Sequence, residues 1–133
     1  MIENGTSHGA MVAEISRGLV HLHRRFYGRG PTQAKTYALD DTVMCMLAGG
    51  FTTVERTLID DGRSEDVERI RRSFQQAMRE RFTGLVEDAT GRSVIAYMSQ
   101  VHTNPDMAVE LFVLEPAEEG LVGEREAELL DPA

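Results

Sequence analysis

Two arginines stand at flexible corners of this chain. Arg29 lies between Gly28 and Gly30, just ahead of Pro31, and Arg92 follows Thr90-Gly91. Glycines at a corner expose backbone N–H groups, and a guanidinium is a planar fork matched to phosphate or carboxylate. Arg29, Gly30, Thr90, Gly91 and Arg92 are therefore candidate ligands for a small anion or a nucleotide, if the two corners meet. The plainer reading makes each corner a helix stop before a strand. Neither has the spacing of a phosphate loop with its following Lys-Ser/Thr, and neither opens a helix. His102 and Asp106 flank a turn and read either as a hydrolytic pair or as ordinary loop polarity. Glu55 follows Thr52 by three residues, which is the spacing of a capping box, with general acid–base work as the alternative. His21 and His23 are two apart on a helix and so point to different faces, whereas helical metal pairs prefer three or four. The single cysteine, Cys45, sits in an apolar strand, where a structural thiol is expected. These residues define no catalytic set, no metal site and no cofactor.

The elements that must position them follow from hydrophobic period. Val12, Ile15, Leu19, Leu22 and Phe26 recur at three and four, which predicts a helix over about 7–27. Gly28 takes its left-handed cap and Pro31 forbids continuation. Residues 35–39 and 42–47 read as two strands joined by an Asp40-Asp41 turn. Thr52 opens a short helix to about Asp61. Ser64, with Glu65 and Asp66 in the first turn, opens a longer one to about Ala89. Its apolar stripe is Val67, Ile70, Phe74, Met78 and Leu85. Residues 93–99 are partly apolar on both faces and are expected inside the sheet. Thr103-Asn104-Pro105-Asp106 is turn chemistry, and residues 107–114 form the last strand. The order α-ββ-αα-ββ predicts an α+β domain with a four-stranded antiparallel sheet of two hairpins and helices packed on it.

Charge divides the chain unevenly. Residues 1–34 carry +2, residues 35–114 carry −4, and residues 115–133 carry −6, which together give the net −8. Residues 1–116 are expected to be one domain, and residues 117–133 an acidic, disordered tail with at most a transient helix over 124–130. The body has no basic excess, so nucleic acid is not an expected partner. No apolar run approaches the ~20 residues that cross a bilayer, and residues 1–10 lack the pattern of a signal peptide. A cytoplasmic location without membrane insertion is expected.

Several strings, in order, resemble one family. They are Tyr27-Gly28-Arg29-Gly30-Pro31, Phe51-Thr52-Thr53-Val54-Glu55-Arg56-Thr57-Leu58, Val86-Glu87-Asp88-Ala89-Thr90-Gly91-Arg92-Ser93-Val94, Ala96-Tyr97-Met98-Ser99 and Glu110-Leu111-Phe112-Val113-Leu114. Over roughly residues 10–116 the chain resembles the bacterial MpsC group. The resemblance marks Arg29, Gly30, Pro31, Glu55, Thr90, Gly91 and Arg92 as motif positions. It departs at Gln100, where relatives commonly place an acid. It implies association with a sodium-translocating, membrane-potential-generating system, and hence a membrane-protein partner. The expected function is a soluble, non-enzymatic accessory or regulatory domain acting through protein contacts, with an anion or nucleotide module using Arg29 and Arg92 as the alternative. A homodimer is also expected, built from the stripe Val12, Ile15, Leu19, Leu22 and Phe26 of the first helix.

Overall fold

The computed structural model describes residues 4–116, with side chains from His8 onward. The acidic tail and the helix expected over 124–130 lie outside the described residues. Eight elements follow in order: α1 (Asn4–Tyr27), β1 (Gln33–Leu39), β2 (Thr42–Ala48), α2 (Thr53–Asp60), α3 (Ser64–Ala77), α4 (Arg79–Thr90), β3 (Val94–His102) and β4 (Met107–Leu114). The sheet order is β1-β2-β4-β3, antiparallel throughout. The two hairpins join through β2 and β4, so the α+β architecture read from the sequence is the one observed.

Local chemistry sets the boundaries. Thr52 accepts from the Glu55 N–H at 3.1 Å while the Glu55 carboxylate accepts from the Thr52 N–H at 2.8 Å, a complete capping box. Gly28 (φ 86°) and Gly91 (φ 70°) take the left-handed conformation that ends α1 and α4, a region closed to most side chains. The long helix expected from Ser64 to Ala89 is bent at Met78 (φ −94°, ψ 0°) into α3 and α4. Hydrogen bonds from Met78 to Phe74 and from Phe82 to Met78, both 2.9 Å, carry the ladder across the bend. Both halves stay in contact with β3, which a straight rod could not do over a twisted sheet.

The helices cover one face of the sheet. Ile15 and Leu19 of α1, Met78, and Phe82 and Val86 of α4 close over Val43, Cys45, Leu47, Tyr97, Phe112 and Leu114. Phe51, Val67 and Val101 form a smaller cluster beneath α2 and α3. Full burial of one such side chain is worth roughly 1.5–3 kcal/mol. Strand β3 is an edge strand, not an interior one. A register irregularity between Val94 and Ala96 leaves Ile95 exposed, while Val94, Tyr97, Ser99 and Val101 turn toward the helices, so its two apolar faces do not mean two covered faces. Ile70 is also exposed, and the inward position it was expected to hold belongs to Arg71.

Among the described residues, no helix or loop covers the other face of the sheet, which is bare in that sense. One row of cross-strand neighbours, Tyr37, Met44, Leu111 and Met98, runs across all four strands. Tyr37 is 47% exposed and Met98 50%, while Met44 and Leu111, on the two central strands, are half-buried.

Candidate functional site

Charged side chains gather where α1 turns into β1. Pro31 and the left-handed Gly28 throw Arg29 back toward the sheet, and its Nη2 donates to the Gly49 carbonyl at 3.0 Å. Arg71 projects from α3, and its Nε and Nη2 donate to the two carboxylate oxygens of Glu55, each at 2.6 Å, while Nη2 also reaches Gly50 O at 2.9 Å. The guanidinium lies 4.1 Å from the Tyr27 ring centre and 5.3 Å from that of Phe51. The Tyr27 hydroxyl donates to Glu55 as well. From the β3–β4 turn, Asp106 accepts from the N–H groups of Gly50 (3.2 Å) and Phe51 (3.0 Å). The glycine pair after β2 is thus held by Arg29, Arg71 and Asp106 together.

The electrostatics follow from burial and pairing. Burial pushes the Glu55 carboxyl up, but the hydrogen bonds from Arg71, Tyr27 and the Thr52 N–H outweigh it and hold the group below the usual carboxylate range. Burial and the bond to Glu55 push the Tyr27 phenol up to about 12, so it stays a donor.

A second buried group lies deeper. Glu110 is inward-facing on β4 and accepts from the Tyr97 hydroxyl at 2.6 Å, with His23 Nε2 3.9 Å away. Burial raises the Glu110 carboxyl to about 7, against the pull of the Tyr97 and Ser99 hydroxyls. Its cross-strand neighbour Ser99 is half-buried, with an Oγ that is buried and makes no hydrogen bond within the 3.5 Å limit of a normal one. His23 Nδ1 lies 2.7 Å from the Leu19 carbonyl, which can only accept, so the proton sits on Nδ1 and Nε2 presents a lone pair toward Glu110. Burial lowers the His23 pKa, and the Leu19 bond only partly offsets that. The Phe82 ring stacks on His23 at 5.1 Å. Both groups line one cavity of about 20 Å³, which is room for one water and no more.

The residues expected to form a shared anion pocket do not meet. Arg29 lies beside the Gln33–Ala48 end of the first hairpin, and Arg92 beside its turn at the other end. The seven residues of β1, roughly 20 Å end to end, separate those ends. Arg92 donates to the Asp41 carboxylate at 2.5 Å, to Glu115 O at 2.7 Å and to Asp40 O at 3.2 Å, tying the hairpin turn to the end of β4. Thr90 Oγ1 caps Val86 O at 2.8 Å, and the Gly91 N–H bonds Glu87 O at 2.8 Å. Gly30 packs against Val20 and Arg24 of α1.

The α1 stripe is largely the chain's own core. Ile15 and Leu19 have no exposed surface, so neither can form a seam with another subunit, and Leu22 packs against the same cluster. Val12 is half-buried, and only Phe26, 39% exposed, presents much apolar surface, between the guanidiniums of Arg25 and Arg81. His102 and Asp106 do not pair either: His102 Nδ1 lies 3.0 Å from Pro105 O, and Asp106 is turned to the Gly50 and Phe51 amides.

Sequence reasoning gave no role to Arg71 or to Glu110, and weighed His23 only as a metal ligand. Each interrupts an apolar face: Arg71 follows Val67 by four, His23 follows Leu19 by four, and Glu110 shares its parity with Phe112 and Leu114. A charged residue on a buried face is the signal that could have found them.

Among the described residues, no group of three or more His, Cys, Asp or Glu side chains is placed to hold a metal ion, and no helix is long and apolar enough to cross a membrane. No curated protein and no solved structure matches the chain. A family model does: residues 7–116 match the one described as Na+-translocating membrane potential-generating system (MpsC), and the chain belongs to that family.

Proposed function

We propose that this chain is a non-enzymatic accessory or regulatory domain that acts through protein contacts, in the setting of the membrane-potential-generating system for which its family is named. The observation that carries this reading is the bare sheet face, an apolar surface with the described helices all on its far side. The polar side chains offer little competition. Arg71, Glu55, Tyr27 and Asp106 spend their hydrogen bonds on one another and on the backbone, and the cavity that Arg71 and Asp106 line is too small for a substrate.

One feature favours a small anion instead: Arg29 Nε lines that cavity region buried and without a hydrogen bond. Thermal melts of the full chain with nucleotides, inorganic phosphate and bicarbonate separate the two readings. No shift is expected with any of them. A clear stabilisation that disappears in Arg29→Ala overturns the protein-contact reading.

A further inference from the structure

We propose that the bare face of the sheet is a self-association surface, on which a second copy of this chain packs face to face about a two-fold axis. The proposal deepens the protein-contact reading and rests on it.

The four rows of this face have the anatomy of an interface. The row Tyr37–Met44–Leu111–Met98 is apolar from edge to edge. Its neighbour, Lys35–Met46–Val109–Gln100, is apolar in the middle and polar at both ends. The row beyond that places Gln33 and His102 at the edges with Ala48 and Met107 between them. The fourth, Leu39–Thr42–Val113–Ala96, closes the other end. An apolar centre with a polar rim is what a protein–protein contact requires, and charge is depleted from such centres. Lys35, at the rim, is the one formally charged side chain in the four rows. Four of the chain's seven methionines (Met44, Met46, Met98 and Met107) lie here, and their flexible thioethers fill the irregular gaps between two facing sheets.

A second copy fits better than the other occupants. Strand spacing and residue rise give the face about 500 Å² in plan, so a symmetric pair buries about 1,000 Å² before side-chain relief is counted, the lower bound for a biological interface. Under a two-fold axis that lies between the two sheets and runs parallel to the strands, the row Tyr37–Met44–Leu111–Met98 faces its own reverse, with Tyr37 over Met98 at the edges and Met44 over Leu111 at the centre. Residues 117–133 carry six acids against one arginine and would set carboxylates on methionines, with only Lys35 to meet them. A strongly anionic partner likewise meets only Lys35, and a cationic one finds no carboxylate in the four rows.

Sedimentation of the full chain from about 1 to 100 μM tests this. Twice the chain mass is expected at the upper end, and a monomer at 100 μM overturns the proposal. Leu111→Lys and Met44→Lys each place an ammonium on the outward face without entering the core, so both are expected to give a monomer with wild-type circular dichroism. Phe26→Lys, on α1, is expected to leave the dimer intact. A dimer that survives both sheet variants, or is lost in Phe26→Lys alone, overturns the assignment. Peroxide footprinting of the wild-type chain needs no variant: Met98 is expected to oxidise several-fold more slowly above the dissociation constant than below it, and equal rates end the proposal. A monomer whose melting is indifferent to anions leaves the protein-contact reading standing while ending self-association. An anion-dependent melt lost in Arg29→Ala ends that reading whatever the mass.

Discussion

Replacing Arg71 by Met is the sharpest probe of how this fold is held. The guanidinium is 6% exposed and makes two 2.6 Å bonds to Glu55, itself 2% exposed, and a third to Gly50 O. Met keeps much of the stem's packing against Tyr27 and Phe51 but strands a buried carboxylate. Removing one member of a buried pair typically costs about 3–5 kcal/mol, because the other charge is left uncompensated. For a body of this size each kcal/mol lowers Tm by about 4 °C, so Arg71→Met is expected to melt about 12–20 °C below wild type. The pH dependence carries the argument. In the wild-type fold the Glu55 carboxyl is held below its unfolded value, so its contribution is complete above the unfolded pKa of ~4.3 and is lost only as pH falls through the lower, folded value. Without Arg71 the burial that pushes Glu55 up is no longer outweighed. The folded carboxyl then rises above ~4.3, and its cost fades as acid protonates it. The gap between variant and wild type is therefore expected to narrow from pH 7 toward pH 4.5. Glu55→Gln in the Arg71→Met background removes the stranded charge while keeping a capping-box side chain, and is expected to recover at least about 1.5 kcal/mol. Urea denaturation of the four chains at three pH values measures all of this. A gap independent of pH, or strictly additive variants, would refute the stranded-charge account and assign the loss to packing.

Glu110 carries the opposite sign. Its folded carboxyl titrates near 7 against ~4.3 unfolded, so the folded state binds more protons and stability falls as pH rises across that window. Glu110→Gln is expected to gain on wild type by on the order of 3 kcal/mol between pH 4.5 and 8 in denaturant melts, and parallel curves would contradict the burial that sets the shift. Gly18 lets α1 approach α4, since a Cβ there would sit 2.6 Å from Leu85 Cδ1. Gly18→Val is expected to cost about 1–3 kcal/mol by overpacking, and Leu85→Ala in the same chain is expected to return part of that, as read by Tm.

What the sequence showed and what it hid divide along a physical line. Boundaries were legible because their causes are local: the Thr52–Glu55 capping box, the left-handed Gly28 and Gly91, and the parity of residues 107–114 each act within a few residues. Partnerships were not. Nothing in the Arg29 and Arg92 corners says that a seven-residue strand holds them apart, and nothing near Arg71 says that its carboxylate lies sixteen positions upstream. The α1 stripe is the instructive case. Its period reports correctly that one face is apolar, but a period cannot name what covers that face, and here the cover is the chain's own sheet. The same limit concealed the opposite situation in β2, where Val43, Cys45 and Leu47 enter the core while Met44 and Met46 alternate with them on the far side. A strand apolar on both faces usually belongs to a sheet covered on both. Among the described residues this sheet has a single helical layer, so β2 and β4 carry apolar side chains that those helices never reach. That mismatch between two-faced strands and one-sided cover is what supports reading the bare face as an interface.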